Sequence, residues 1–235
     1  MAKEFLTPPD FKAGLLLNGS AGTTGQQITS QGPGQPPVWG APGSGSSFAG
    51  YAVGNWIAPV IGTSAAGGSL TANTIALYPF TVNRAVTISD LGFRVTTGVA
   101  GTSIQGAIYA SDASNNVTGA ALGSTAGLSS ATATSISGAV TPFTLNAGAL
   151  YWFAVNSDGA PTLLALATTN TYFNAILGAS NLADITSSAT SSMQIRTVAQ
   201  TYGTWPNLTG VTAAVATGTN AIKGAMPIFK ISALP

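Results

Sequence analysis

Beyond residue 48 the chain alternates short runs of Val, Ile, Thr, Tyr and Phe with clusters of Gly, Asn, Asp and Ser. Runs of that kind, punctuated by turn formers, read as strands. They predict strands at Trp56–Ile61, Thr74–Val82, Val86–Thr97, Ser103–Ser111, Val140–Leu145, Leu150–Ser157, Thr162–Ala167, Met193–Ala199 and Ala225–Ser232. Within them apolar residues recur at every second position, as one buried sheet face requires. Examples are Ile104, Gly106 and Ile108, and Tyr151, Phe153 and Val155. Ile88, Leu91, Phe93 and Val95 follow the same rule with one slip near Ser89-Asp90, which predicts a bulge. Pro79 breaks the run Ile-Ala-Leu-Tyr-Pro-Phe-Thr-Val and predicts an edge strand or a bulge, because proline cannot donate to a ladder. No window carries a clean helical period. The expected fold is all-β, and roughly eight to ten strands over residues 49–235 fit a jelly-roll-like β-sandwich.

The pattern is different before residue 49. Residues 1–17 interleave Phe5, Leu6, Phe11, Leu15, Leu16 and Leu17 with four charges around Pro8-Pro9. The run is too short and too broken by proline to enclose a core. It is expected to be an arm that docks elsewhere through those six apolar residues. Residues 18–48 are rich in Gly and Pro and carry no charge. Gly loses too much backbone entropy to hold regular structure by itself, and Pro lacks the N–H. Yet Ile28, Val38 and Trp39 stand in this segment, and a plain spacer has no reason to expose them. The expectation is an extended connector ordered only against another surface, with Ile28, Val38 and Trp39 making the contacts. Its end, Gly-Ala-Pro-Gly-Ser-Gly-Ser-Ser, has linker composition.

Composition narrows the chemistry. The chain of 235 residues contains neither Cys nor His. No disulfide can hold it, which fits assembly in a cytoplasm. Zinc, copper and haem lose their usual ligands, and Ser-His-Asp and Cys-His catalysis are excluded. The reading carries no cofactor, no metal and no enzymatic activity. Charged residues make up 6% of the chain, and none lies between Ala13 and Asn83. That leaves no clustered Lys and Arg for nucleic acid. No apolar run of ~18 residues suggests a membrane span. Soluble monomers carry about a quarter charged residues, and a surface this poor in charge favours association. An obligate oligomer within a larger assembly is expected.

Few candidate sites remain. Ser111-Asp112-Ala113-Ser114-Asn115-Asn116 spaces oxygen side chains as calcium loops do, but with one carboxylate and no following Glu. The same letters make a turn in which Asp and Asn bond their own backbone, and the turn is expected. Glycoside hydrolysis needs two converging carboxylates. Residues 49–235 offer Asp90, Asp112, Asp158 and Asp184, scattered over a bulge, two turns and a loop. Arg84 and Arg94 near Asp90 suggest a surface ion pair, and Arg196 a strand residue pointing outward. Tyr202-Gly203-Thr204-Trp205-Pro206-Asn207 places aromatics in a loop. Tyr202, Trp205 and Asn207 are candidate glycan contacts, set against the packing that claims most aromatics; for Trp205 packing is preferred.

One stretch carries a likeness. Gly22, Thr23, Gly25, Gln26, Thr29, Ser30, Gly32, Gly34, Pro37 and Trp39 resemble an element, roughly G-T-x-G-Q-x-L-T-S-x-G-x-G-x-x-P-x-W, that recurs in tailed-bacteriophage fibre and spike proteins. Ile28 stands where Leu is commoner. The likeness implies a virion protein, usually a homotrimer, in which this element separates an N-terminal anchor from a distal β-domain. Leu91-Gly92-Phe93-Arg94-Val95, Gln105-Gly106-Ala107-Ile108-Tyr109 and Leu145–Val155 also resemble parts of a β-sandwich common on phage fibres. Two functions follow from the resemblance. One is structural, a head fibre or capsid decoration protein bound to other virion proteins. The other is adhesive, a tail fibre whose distal domain binds a host-surface glycan. The short chain favours the structural version.

Overall fold

A computed structural model describes residues 16–17, 19–23, 26–40, 50–59, 64–166, 182, 195–215 and 225–235. Apart from Leu182, which is helical, the regular structure formed by these residues is all strand, and every pairing is antiparallel. The chain divides into two compact units, residues 1–47 and 48–235.

The first unit holds a hairpin. β1 (Gln27–Thr29) pairs with β2 (Val38–Gly40), with Ile28 opposite Trp39. The connector, expected to be ordered only against another surface, thus contains two short strands paired with each other. Two interactions at a distance in sequence explain how so Gly-rich a stretch holds them. The Trp39 indole N–H donates to the Ser20 carbonyl at 2.8 Å. Gly22, at φ +69°, leaves room for that indole: a Cβ there would stand 2.7 Å from Trp39 Cδ2. Thr23 N–H donates to Gln26 Oε1 at 2.7 Å, tightening the turn that leads into β1.

The second unit is built from thirteen described strands. They are β3 (Trp56–Ile57), β4 (Ser64–Ser69), β5 (Thr74–Thr81), β6 (Val86–Thr97), β7 (Ser103–Ser111), β8 (Val117–Ser124), β9 (Leu128–Ser129), β10 (Ser135–Leu145), β11 (Leu150–Ser157), β12 (Thr162–Leu166), β13 (Arg196–Ala199), β14 (Ala214–Val215) and β15 (Ile228–Ala233). One sheet runs β3-β15-β6-β12-β4, with β10 on the other edge of β6. The second runs β14-β13-β5-β11-β7-β8, with β9 also on β7. From β5 to β7 and again from β9 to β13 the chain changes sheet at every connection.

The sheets enclose one core. Tyr78, Phe80, Ile104, Ile108, Phe153 and Val155 from the second sheet meet Ile88, Leu91, Phe93, Leu145, Phe229 and Ile231 from the first. Phe80 lies 5.8 Å from Phe229, and Phe93 lies 5.6 Å from Phe153, centroid to centroid. Such contacts across the layers make this an antiparallel β-sandwich. Gly106 faces the core, and the space it leaves is filled by the Phe93 ring.

The outer face of the second sheet is covered as well. Ile75, Leu77, Ala107, Tyr109, Trp152 and Ala154 form a separate buried cluster with Leu208 and Ala213, against which Trp205 packs. The segment 201–213 supplies that cover. It explains why β5 and β11 are buried at nearly every position instead of alternately. Strands covered on both faces read as continuous apolar runs.

The strand boundaries at Val86–Thr97, Ser103–Ser111 and Leu150–Ser157 coincide with the sequence expectation. The bulge does too: Asp90 pairs with Lys230 and Ile88 with Ile231, leaving Ser89 extra. Pro79 is more interesting. β5 is an interior strand, yet β13 pairs only with Thr74–Leu77. Among the described residues, Pro79 therefore has a ladder on its β11 side alone, opposite Trp152. Other expectations need correction. Strands β4, β8, β9 and β14 were not anticipated, β10 begins at Ser135 instead of Val140, and β15 begins at Ile228 instead of Ala225. Ile61, Ala167 and Met193, ends of expected strands, lie outside the described residues.

Candidate functional site

Of the six anchoring candidates, Phe5, Leu6, Phe11 and Leu15 lie outside the described residues. Leu16 is exposed, and Leu17 exchanges backbone hydrogen bonds with Ser20 at 2.9 and 3.0 Å. The three connector candidates come together in the hairpin. Ile28 is half-exposed, while Val38 and Trp39 are partly buried. A lone two-stranded hairpin is marginal in water. Here Trp39 ties it back to Ser20 and Gly22, and Ile28 remains free to meet another surface.

The candidate glycan contacts occupy the segment that covers the second sheet. Trp205 packs edge-on to Tyr109, ring centroids 6.2 Å apart at 66°. Its indole N–H is buried and meets no hydrogen-bond partner among the described residues. The Tyr109 hydroxyl donates to the Pro206 carbonyl at 2.9 Å, so the tip of this loop is held from beneath. Burial pushes the Tyr109 phenol up to about 12. Tyr202 is anchored by its N–H to Asn73 Oδ1 at 2.9 Å, and burial raises its phenol. Asn207 is exposed, but its Oδ1 accepts from Thr209 N–H at 2.9 Å in a local turn. The three residues do not form a shared exposed platform.

The Asp112 segment is a turn. Asp112 Oδ1 accepts from the N–H groups of Ser114 and Asn116, both at 2.8 Å. The Asn116 backbone bond is the main cause that holds its carboxyl below the usual range, aided by Ser114 and by Arg196. Arg196 is the correction here. It was expected to point outward, but it is buried, its guanidinium 5.0 Å from the centre of the Trp152 ring. Its Nη1 donates to Asn116 Oδ1 at 2.8 Å. Loss of hydration lowers the pKa of Arg196, and Asp112 partly restores it. A cleft of about 240 Å³ opens beside these groups, lined also by residues 210–213. The other carboxylates serve local structure. Asp158 Oδ1 accepts from Ser103 N–H at 2.7 Å, and Asp90 Oδ2 accepts from Ser89 Oγ at 2.7 Å. Asp184 lies outside the described residues. Among the described residues no three acidic groups stand together as metal ligands.

One surface was missed by sequence reasoning. Trp56, taken only as the first residue of a strand, is 44% exposed on the outer face of the first sheet. Its six-membered ring lies over Gly92: a Cβ there would stand 3.0 Å from Trp56 Cζ3 and 3.2 Å from Ile228 Cγ2. Register places Lys230 directly opposite Trp56, and Asp90 opposite Lys230. The available signal was Gly92 itself, a glycine inside a strong strand, which marks close approach of another group.

Comparison of the chain with protein-family models, with curated proteins and with solved structures returned no match.

Proposed function

We propose that this chain is a structural protein of a tailed-phage particle, a head fibre or capsid decoration protein. Residues 1–17 anchor it to other virion proteins, the hairpin unit joins, and the sandwich projects as a homotrimer. It performs no catalysis in this reading. The observation that carries the proposal is the closure of Trp39 onto Ser20 and Gly22. Gly22 and Trp39 open and close the string that resembles the phage fibre element. The resemblance therefore rests on residues with a structural task, and not on glycine richness alone.

The sandwich supports the same reading. We propose a jelly roll for it, on the strand order. Letter β4, β5, β6, β7, β8, β10, β11 and β12 as B to I. The first sheet then contains B-I-D-G and the second C-H-E-F, the arrangement of two interleaved Greek keys. β13, β14 and β15 are additions that widen both sheets. The adhesive alternative asked for an exposed ring at Trp205, and that ring is packed on Tyr109. This favours the structural reading over a receptor site in that loop.

Deleting residues 1–17 tests the proposal. The truncated protein should keep its β-rich circular dichroism spectrum and be absent from purified particles. Electron microscopy of particles labelled at Pro235 should place the label on the head. Full incorporation of the truncated chain would refute the anchor, and label at the tail tip would refute the head assignment.

A further inference from the structure

The outer face of the first sheet carries a chemistry that the structural role does not use. The chain is poor in charge, with nine charged residues in positions 49–235. Three of them, Asp90, Arg94 and Lys230, stand on this one face with Trp56. Alternation fixes their direction, because Leu91, Phe93, Phe229 and Ile231 between them are buried in the core. Trp56, Lys230, Asp90 and Ala139 form one row across four neighbouring strands. With strands about 4.8 Å apart, that row spans about 14 Å, the length of a short oligosaccharide. Beside it, the outward residues of β10 are Ser135, Ser137 and Ala139, all small and exposed.

Trp56 is the ring to explain. An indole held over a glycine and still 44% exposed leaves apolar surface in water at a fixed place. Among the described residues, the cross-strand partners Asp90 and Lys230 form no ion pair with each other. Among the described residues, the Asp90 carboxylate takes no side-chain partner apart from the Ser89 hydroxyl. Its acceptors and the Lys230 ammonium are thus available to a third party. Interface centres are enriched in Trp and Arg and depleted in Lys and Asp; here Lys230 and Asp90 hold the middle of the row, and burying both against a second copy would cost their hydration. An exposed aromatic flanked by charged hydrogen-bonding groups fits a molecule with an apolar face and a rim of hydroxyls.

We propose that this face is a saccharide-binding site. The C–H face of a pyranose stacks on Trp56, and its hydroxyls bond Asp90 and Lys230, with Arg94 at the rim. The inference needs only this face and holds whether the protein sits on a head or a tail. Its failure would leave the virion reading untouched, since the tests share no readout.

The test is titration of the full-length protein with cello-, chito-, malto- and galacto-oligosaccharide hexamers, followed by calorimetry and by indole N–H resonances. At least one hexamer should bind and shift a single indole signal, that of Trp56. Trp56→Ala should weaken binding at least tenfold, and Asp90→Asn severalfold. Both variants should melt close to the parent, because neither side chain enters the core. Absence of binding across all four hexamers would overturn the proposal, as would binding that survives Trp56→Ala. If Trp56→Ala instead reduces the oligomeric state and no hexamer binds, the face is an interface between copies and the proposal falls.

Discussion

At the scale of single residues, two tryptophans show how far the sequence reaches. For Trp205, in a loop among Tyr, Gly, Pro and Asn, packing is the preferred reading over sugar contact, and the ring packs on Tyr109 beside a second buried cluster. Trp56 reads only as the start of a strand, and it lies exposed on the outer face. Periodicity locates a side chain on one face of a strand, but it does not say which faces a later segment will cover. Trp205→Ala should therefore destabilise the protein by about 3 kcal/mol, the low end for a buried aromatic because the ring is only partly covered. Urea unfolding checks this; an unchanged midpoint would mean the ring carries no packing. Tyr109 gives a pH signature. Its phenol titrates near 10 when unfolded and near 12 in the fold. A raised folded pKa contributes stability that is complete below pH 10 and lost as pH climbs towards 12. Tyr51 and Tyr202 are shifted in the same direction, also by burial. The unfolding midpoint should fall through that window, and Tyr109→Phe should flatten the fall without removing it.

Strands were legible in the sequence where burial is strongest. β6, β7 and β11 carry large apolar residues at regular spacing, so their limits could be read to the residue. β8 and the first half of β10 read Val-Thr-Gly-Ala-Ala-Leu-Gly-Ser and Ser-Ile-Ser-Gly-Ala. Gly, Ala and Ser have weak strand preference, and these stretches are strands because backbone ladders on β7 and β6 make them so. The same holds for β4, Ser-Ala-Ala-Gly-Gly-Ser, on β12. The hairpin β1–β2 was hidden for a different reason. Its stability rests on Trp39 reaching back to Ser20 and Gly22, a contact that no local propensity encodes. Gly22→Ala would bring a methyl group against the indole at a left-handed φ. The strain alone costs about 1–2 kcal/mol, enough to release the hairpin. The Trp39 indole N–H signal should lose its protection from solvent exchange, while the melting of residues 48–235 stays unchanged.

On the scale of the whole molecule, the sandwich class was legible from strand spacing, whereas the sheet order was not, because pairing joins residues far apart in the chain. Low charge predicts association, and light scattering of the full-length protein at micromolar concentration should report a trimer; a well-behaved monomer would contradict it. One pairing has a bearing on biosynthesis. β3, the first described strand of the larger unit, is held by β15, the last described, and β15 also lies against β6. During translation, β3 leaves the ribosome long before its partner exists, and the first sheet stays unfinished until residues 228–233 emerge. A chain cut short by stalled translation lacks the strand that secures β3, and it exposes the apolar flank where Phe229 and Ile231 belong. Such an open seam is a ready target for proteases, so the pairing of β3 with β15 makes the closed surface conditional on residues 228–233 having been made.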